Sequence, residues 1–305
     1  GSASPRIVIL GDLHGDREMF WGILAAAKCI KMLKKKTGNS PRWIGKDTIV
    51  VCLGDTVDSQ RPDIPPTDQN GWDKNPGEKK LQYDILDLDV MARLTGGRVL
   101  SILGNHDIFA MDSYAKQADI ESYGSEENRI KAFSPGGEMA NMFAETRNVI
   151  QIVGPCLFVH GSLLPEFITM FPYLPSDTMH EINTDIKKYL KGEAPLPDWF
   201  RVSSKKGINP LECRDFGYGT FNRKKVKNML TYFPGKVNFI AVGHTYQQKI
   251  TRYGPVICTD VGISRAFGPK NKDIIAEWVE IKQNKPYRCV LDIKGDVLSI
   301  LLRKE

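Results

Sequence analysis

Cysteine is scarce and unpatterned in this 305-residue chain. Its six residues, Cys29, Cys52, Cys156, Cys213, Cys258 and Cys289, are widely and irregularly spaced, with no C-x-x-C pair. That argues against a disulfide framework and a thiolate zinc site, and no cysteine sits in the context of an activated nucleophile. Four of them lie within or beside apolar runs that read as core, so a reducing, cytoplasmic compartment is expected. No apolar stretch approaches the roughly 18 residues that span a bilayer, and the start shows no secretory pattern, so no membrane segment is expected. Internal repeats and low-complexity tracts are absent. Long runs of one charge are missing too. Lys34-Lys35-Lys36, Lys205-Lys206 and Lys224-Lys225 are scattered and read as solvated faces, so nucleic acid is not an expected partner. The net charge of +6 still suits phosphorylated or otherwise acidic substrates.

What is present is enough apolar residue, 41%, for a substantial core, and the default is one α/β domain over residues 1–305. Arg6 to Leu10 is a β-branched run ending at glycine, and Phe20, Ile23, Leu24 and Ala27 then recur at helical spacing. Thr48 to Leu53 repeats the strand, while Leu81, Ile85, Leu88 and Ala92 line a helix leading through Gly96-Gly97 to a strand at Val99 to Leu103. Such alternation predicts an α/β sheet. Ser59 to Lys80 is polar and reads as a loop insertion, and Pro165 to Phe216 as an irregular, proline-punctuated segment with short helices. Strand character returns at Val237 to Val242 and Val256 to Asp260. The runs Ala276 to Ile281, Arg288 to Ile293 and Val297 to Leu302 predict a closing antiparallel meander.

Only five histidines occur, yet four of them follow such runs in glycine-flanked patches. These are Gly11-Asp12-Leu13-His14-Gly15, Gly104-Asn105-His106-Asp107, Val159-His160-Gly161 and Gly243-His244-Thr245, and Gly54-Asp55-Thr56-Val57-Asp58 makes a fifth patch without histidine. In open α/β sheets ligands collect beyond the carboxyl ends of the strands, so the five patches can meet. Carboxylate oxygen mixed with imidazole nitrogen suits Mn, Fe or Zn better than calcium. Two such ions roughly 3.5 to 4 Å apart can clamp a phosphate and activate a water between them. An isolated Gly-Asp would be read as a turn or helix cap; the recurring set is not. His180 belongs to no patch and reads as a surface or cap residue.

Gly-Asp-x-His-Gly, Gly-Asp-x-x-Asp, Gly-Asn-His, His-Gly and Gly-His, in this order, resemble the calcineurin-like metallophosphoesterases over most of the chain. Within that superfamily the chain is similar to the phosphoprotein phosphatases, and to the Shewanella-like phosphatases in particular. Trp43 to Thr48, Phe133-Ser134-Pro135-Gly136-Gly137 and Asp260 to Phe267 carry that finer likeness. The resemblance implies a central β-sandwich flanked by helices. It implies two metal ions, Mn or Fe/Zn, with Asp12 and His14 on the first, Asp55 bridging, and Asn105, His160 and His244 on the second. By the same resemblance His106 protonates the leaving group, Asp58 orients His106, Asn105 also lies within reach of the substrate phosphate, and Asp107 anchors its loop where glutamate is more usual. The implied reaction is hydrolysis of a phosphomonoester, of a phosphoprotein or a small phosphoester, by in-line attack of a metal-bridging hydroxide.

The chain departs from that pattern in two places. Ser59 stands where the phosphoprotein phosphatases carry a phosphate-binding arginine, which leaves Arg61 as a shifted replacement and Arg214 as the second clamp, with Arg201 as a fallback. Tyr246 stands where many superfamily members have a further histidine. A dinucleoside-polyphosphate hydrolase or phosphodiesterase is the alternative among enzymes. A non-catalytic adaptor of the same fold is the alternative outside them, and an adaptor would be expected to have lost ligands.

Overall fold

A computed structural model describes residues 4–60, 77–112, 118–267 and 273–304. Its first strands are β1 (Ile7–Leu10), β2 (Ile30–Lys35), β3 (Gly38–Trp43), β4 (Ile49–Cys52) and β5 (Arg98–Ser101). Then follow β6 (Ile150–Val153), β7 (Cys156–Val159), β8 (Phe239–Val242), β9 (Thr251–Tyr253) and β10 (Val256–Cys258). The last three, β11 (Ile274–Lys282), β12 (Lys285–Asp292) and β13 (Val297–Leu301), are the expected meander. The first five helices are α1 (Arg17–Ala26), α2 (Glu78–Arg93), α3 (Asn105–Phe109), α4 (Glu126–Phe133) and α5 (Glu138–Thr146). The others are α6 (Pro165–Ile168), α7 (Pro175–Leu190), α8 (Asp198–Lys205), α9 (Asp215–Tyr218) and α10 (Arg223–Leu230).

The strands form two sheets and a separate hairpin. One sheet has the order β13-β12-β11-β1-β4-β5, with β1, β4 and β5 parallel, and the other has the order β6-β7-β8-β10-β9, with β7, β8 and β10 parallel. Four of the parallel strands, β1, β4, β7 and β8, are the apolar runs Ile-Val-Ile-Leu, Ile-Val-Val-Cys, Cys-Leu-Phe-Val and Phe-Ile-Ala-Val, covered on both faces as parallel sheets require. Alternation along the second sheet places the two layers. Cys156, Phe158, Phe239, Ala241 and Ile257 join Ile9, Val51 and Trp278 in one buried cluster between the sheets. Their neighbours Leu157, Val159, Ile240 and Val242 instead pack with Phe143, Phe167, Ile182 and Leu230 of the helices. On the first sheet, α1 and α2 add Phe20, Ile23, Leu24, Leu81, Ile85 and Leu88. The architecture is therefore a mixed α/β sandwich with helices on its outer faces.

Three features differ from the reading of the sequence. Glu78 to Lys80 open α2 rather than close the insertion, because Glu78 continues the buried register of Leu81, Ile85 and Leu88. Residues 61–76 of that insertion lie outside the described residues. The segment 165–216 holds a helix of 16 residues, α7, whose inward face is Thr178, Ile182, Ile186 and Leu190 at regular helical spacing. The β2–β3 hairpin, strands β6 and β9 and helices α4, α5 and α10 had no expectation at all. The hairpin is mostly solvent-facing, with Lys34, Lys35 and Lys36 exposed at its tip, so it lacks the alternation that marks a half-buried strand. His180 is exposed on α7, as expected, and all six cysteines are free and buried.

Phe158 is fully buried between the sheets. Phe158→Ala is expected to cost about 3–5 kcal/mol in denaturant unfolding, the usual range for an aromatic removed from a core. A loss below about 1 kcal/mol would contradict this packing.

Candidate metal centre

Five of the parallel strands deliver polar residues just past their carboxyl ends. Asp12 and His14 follow β1, Asp55 and Asp58 follow β4, Asn105 and His106 follow β5, His160 follows β7, and His244 follows β8. The loops are tied to one another: His14 N–H donates to Asp55 C=O at 2.8 Å, Gly15 N–H to Thr56 C=O at 2.9 Å, and Gly243 N–H to His160 C=O at 2.9 Å. Asp107 serves as the expected anchor, since its carboxylate accepts from the N–H groups of Gly104, Asp55 and Thr56 at 2.7, 2.9 and 3.2 Å. The shorter aspartate thus grips the turn of the Gly54–Asp58 patch directly.

Four site residues have backbones in the left-handed region: His14 at φ 37°, Asp55 at 50°, Asp58 at 67° and His244 at 68°. Such conformations cost non-glycine residues roughly 1–3 kcal/mol each, and they gather where the surroundings override local preference. The neighbouring glycines have a second task. A Cβ on Gly104 would collide with the Asp55 carboxylate, and one on Gly243 with the Asp12 carboxylate. These glycines make room for the acids themselves.

The side chains converge as two groups. Asp12, His14 and Asp55 form one, Asp55, His160 and His244 the other, and within each group the candidate ligand atoms lie within 4.8 Å of one another. Asp55 belongs to both. His14 Nε2 is 3.7 Å from both Asp12 Oδ2 and Asp55 Oδ2, His160 Nε2 is 3.1 Å from Asp55 Oδ2, and Asn105 Oδ1 is 2.9 Å from His160 Nε2. The other ring nitrogens are tied to backbone. His14 Nδ1 donates to Val57 C=O at 3.0 Å, His160 Nδ1 to Leu53 C=O at 2.6 Å, and His244 Nε2 to Glu212 C=O at 2.9 Å. Those bonds fix the tautomers and assign Nε2, Nε2 and Nδ1 as donors to a cation, the arrangement usual for metal-ligating imidazoles.

Charge makes the same demand. Asp12 and Asp55 are each 2% exposed. Burial opposes their ionisation, yet His160 and the other imidazoles outweigh it, holding Asp12 below the usual carboxylate range and Asp55 well below it. His160 is correspondingly raised to about 10, because Asp55 and Asp12 overcome its burial, while burial, His160 and Arg214 press His244 down to about 4. Without a cation the site retains a proton on His160 to balance its acids. The donor set, carboxylate oxygen with neutral imidazole, fits metal ions that would take over that task.

His106 stands at the rim, its ring 5.0 Å from that of His14, and its Nδ1 lies 2.7 Å from Asp58 Oδ2. Arg214 is exposed beside His244 and donates to its carbonyl at 2.8 Å. Arg201 pairs with Asp198 on its own helix and makes no contact with the group, and Arg61 lies outside the described residues. Ser59 is fully buried and so cannot stand in for an arginine at that position. Tyr246 is half exposed next to the site.

Several buried polar residues escaped the sequence reading. Arg129 reaches Asp58, Glu78 accepts from Asp58 N–H, and Arg147 donates to Thr56 Oγ1 and Gln82 Oε1. Burial, opposed by Arg129 and aided by Asp58, pushes Glu78 up to about 7. For two of them a signal was present in the helical register: Glu78 precedes Leu81 by three, and Arg129 precedes Ala132 and Phe133 by three and four.

Residues 5–248 match the calcineurin-like phosphoesterase family, and the chain belongs to it. It is 24% identical over 345 aligned positions to Shewanella-like protein phosphatase 2 of Arabidopsis thaliana, spanning 93% of this chain and 77% of that protein. Among solved structures, a cold-active protein-tyrosine phosphatase of a psychrophilic Shewanella superposes with a TM-score of 0.69 at 20% identity, covering 97% of this chain and 80% of that one. Another cold-active protein tyrosine phosphatase structure gives 0.71 at 19%, covering 97% and 78%. At that identity the structures establish a shared fold. Among the described residues no helix is long and apolar enough to cross a membrane.

Since His160 must lose its proton to ligate a metal, manganese uptake at pH 7 is expected to release protons, read as a dependence of the calorimetric heat on buffer ionisation enthalpy. A heat independent of buffer would contradict the assignment. Gly243→Ala, which sets a methyl group against the Asp12 carboxylate, is expected to weaken manganese binding at least about tenfold with the fold retained, within the range of losses seen when metal-ligand positioning is disturbed. Unchanged affinity would mean that Asp12 is not a ligand.

Proposed function

We propose that the chain is a metal-dependent phosphomonoesterase acting on phosphorylated protein side chains, of the serine/threonine type or tyrosine. The observation that carries this reading is the Asp55 carboxylate shared by two ligand groups, with a histidine–aspartate pair beside it. Asp12, His14 and Asp55 would hold one cation; Asp55, Asn105, His160 and His244 would hold the other. Two bound cations supply the Lewis acidity that makes a water nucleophilic near neutral pH and offsets charge on the phosphoryl oxygens.

The chain's own residues supply the rest. Asp58 accepts from His106 Nδ1, fixes the ring and leaves Nε2 to deliver a proton to the departing oxygen. An alkoxide is a poor leaving group, so a positioned acid contributes about 10² to 10⁴-fold. Arg214, beside the His244 carbonyl, brings a guanidinium to the edge of the group, where it can bind phosphoryl oxygens in a fork. Ser59, at the position where the phosphoprotein phosphatases carry an arginine, is fully buried and brings no positive charge to this edge. The names of the relatives, a protein phosphatase and protein-tyrosine phosphatases, support a phosphoprotein substrate over a dinucleoside polyphosphate.

The test is a manganese-reconstituted screen of phosphopeptides, an aryl phosphate and a diadenosine polyphosphate, with Asp55→Asn as the comparison. Phosphopeptide turnover is expected to lead and to fall more than about 10³-fold in Asp55→Asn, several kcal/mol of electrostatic stabilisation being lost. Full activity in that variant, or a clear preference for the diadenosine substrate, would overturn the reading.

A further inference from the structure

Arg129 on α4 is 1% exposed, so its guanidinium is sequestered among protein groups. Its Cζ lies 3.8 Å from the ring centroid of Phe133 and 5.2 Å from that of Tyr123. One terminal nitrogen donates to Asp58 Oδ1 at 3.2 Å, while the other oxygen of the same carboxylate faces His106 Nδ1 at 2.7 Å. Arg129 Nε lies 3.6 Å from Glu78 Oε2, and Glu78 Oε1 accepts from the Asp58 backbone N–H. Asp58 is thus held at three points: one oxygen by arginine, one by histidine, and its left-handed backbone by Glu78. Burying a guanidinium costs several kcal/mol unless it is well paired, so its placement here calls for a reason beyond filling space.

We infer that Arg129, braced by Glu78, is a positioning residue for proton delivery, holding the Asp58 carboxylate in the one orientation that aligns His106 with the departing oxygen. The inference rests on the reading of His106 as the proton donor. The planar fork of arginine suits two carboxylates at a fixed angle, which a lysine cannot match. The carboxylates that Arg129 pairs with, Asp58 and Glu78, are not among the six candidate ligands, so its effect is expected to reach the chemistry through Asp58.

Leaving-group dependence separates this role from a merely structural one. Turnover of 4-nitrophenyl phosphate, phenyl phosphate and a phosphoserine peptide is measured with saturating manganese for the wild type, Arg129→Met and Arg129→Lys. Folding is checked by thermal melting and metal content by elemental analysis. Arg129→Met is expected to lower kcat on the phosphoserine peptide by about 10 to 100-fold, part of what general acid catalysis supplies. The loss on 4-nitrophenyl phosphate, whose leaving group needs little protonation, is expected to be about two- to threefold, with KM and metal content unchanged. Arg129→Lys should show the same gradient, less steeply, and carries the test by itself if Arg129→Met does not fold. Combined with Asp58→Asn, either variant should add no further loss, because both act through one carboxylate. An equal loss on all three substrates, a loss confined to KM, or an additive double variant would overturn the inference and leave the functional reading intact. A folded, metal-loaded wild type inactive on all three would overturn that reading, and the inference with it.

Discussion

Everything at the mouth of this sandwich depends on two carboxylates, Asp12 and Asp55, being kept ionised while almost wholly buried. Isolated buried carboxylates would take up protons, since removal from water strongly disfavours the charged form. Here three histidines surround them, each with one ring nitrogen pinned to a backbone carbonyl. The pinning makes the other nitrogens converge. The result is a cluster of donor atoms built for positive charge, and the fold supplies it by ending five parallel strands from two sheets at one place.

The local geometry is expensive, and the surrounding structure enforces it. Left-handed backbone at His14, Asp55, Asp58 and His244 is sustained by cross-loop backbone bonds and by the three N–H groups that Asp107 collects. Glycines at 104 and 243 let neighbouring loops press against the acids. Below this layer lies a second, wholly buried one, in which Arg129 bridges Asp58 and Glu78 while Arg147 joins Thr56 to Gln82. Charge pairing carries this layer: Arg129 Nε and Glu78 Oε2 face each other at 3.6 Å as an ion pair, without a hydrogen bond between them.

Much of this was legible in the chain. The alternation of apolar runs and helical spacing predicts the parallel strands and α1 and α2, and the glycine-flanked patches mark which strand ends carry chemistry. Other elements were hidden for physical reasons. The β2–β3 hairpin is solvated on most of its surface and leaves no period-two trace, and Glu78 was hidden by the polar stretch before it, although its register places it on the inward face of α2. Arg129 shares the helical spacing of Ala132 and Phe133, yet neither it nor Arg147 carries a local sign of its partners. Their roles arise from partners 71 and 91 residues away, which no local pattern encodes. Arg214 was legible by motif, and the structure sets it beside His244; Arg61 lies outside the described residues.

The central claim is that Asp55 joins two metal positions. Anomalous diffraction from manganese-soaked crystals tests it most directly. Two peaks roughly 3.5–4 Å apart, one on each side of the Asp55 carboxylate, are the predicted result. A single peak, or a pair not bridged by Asp55, would contradict it.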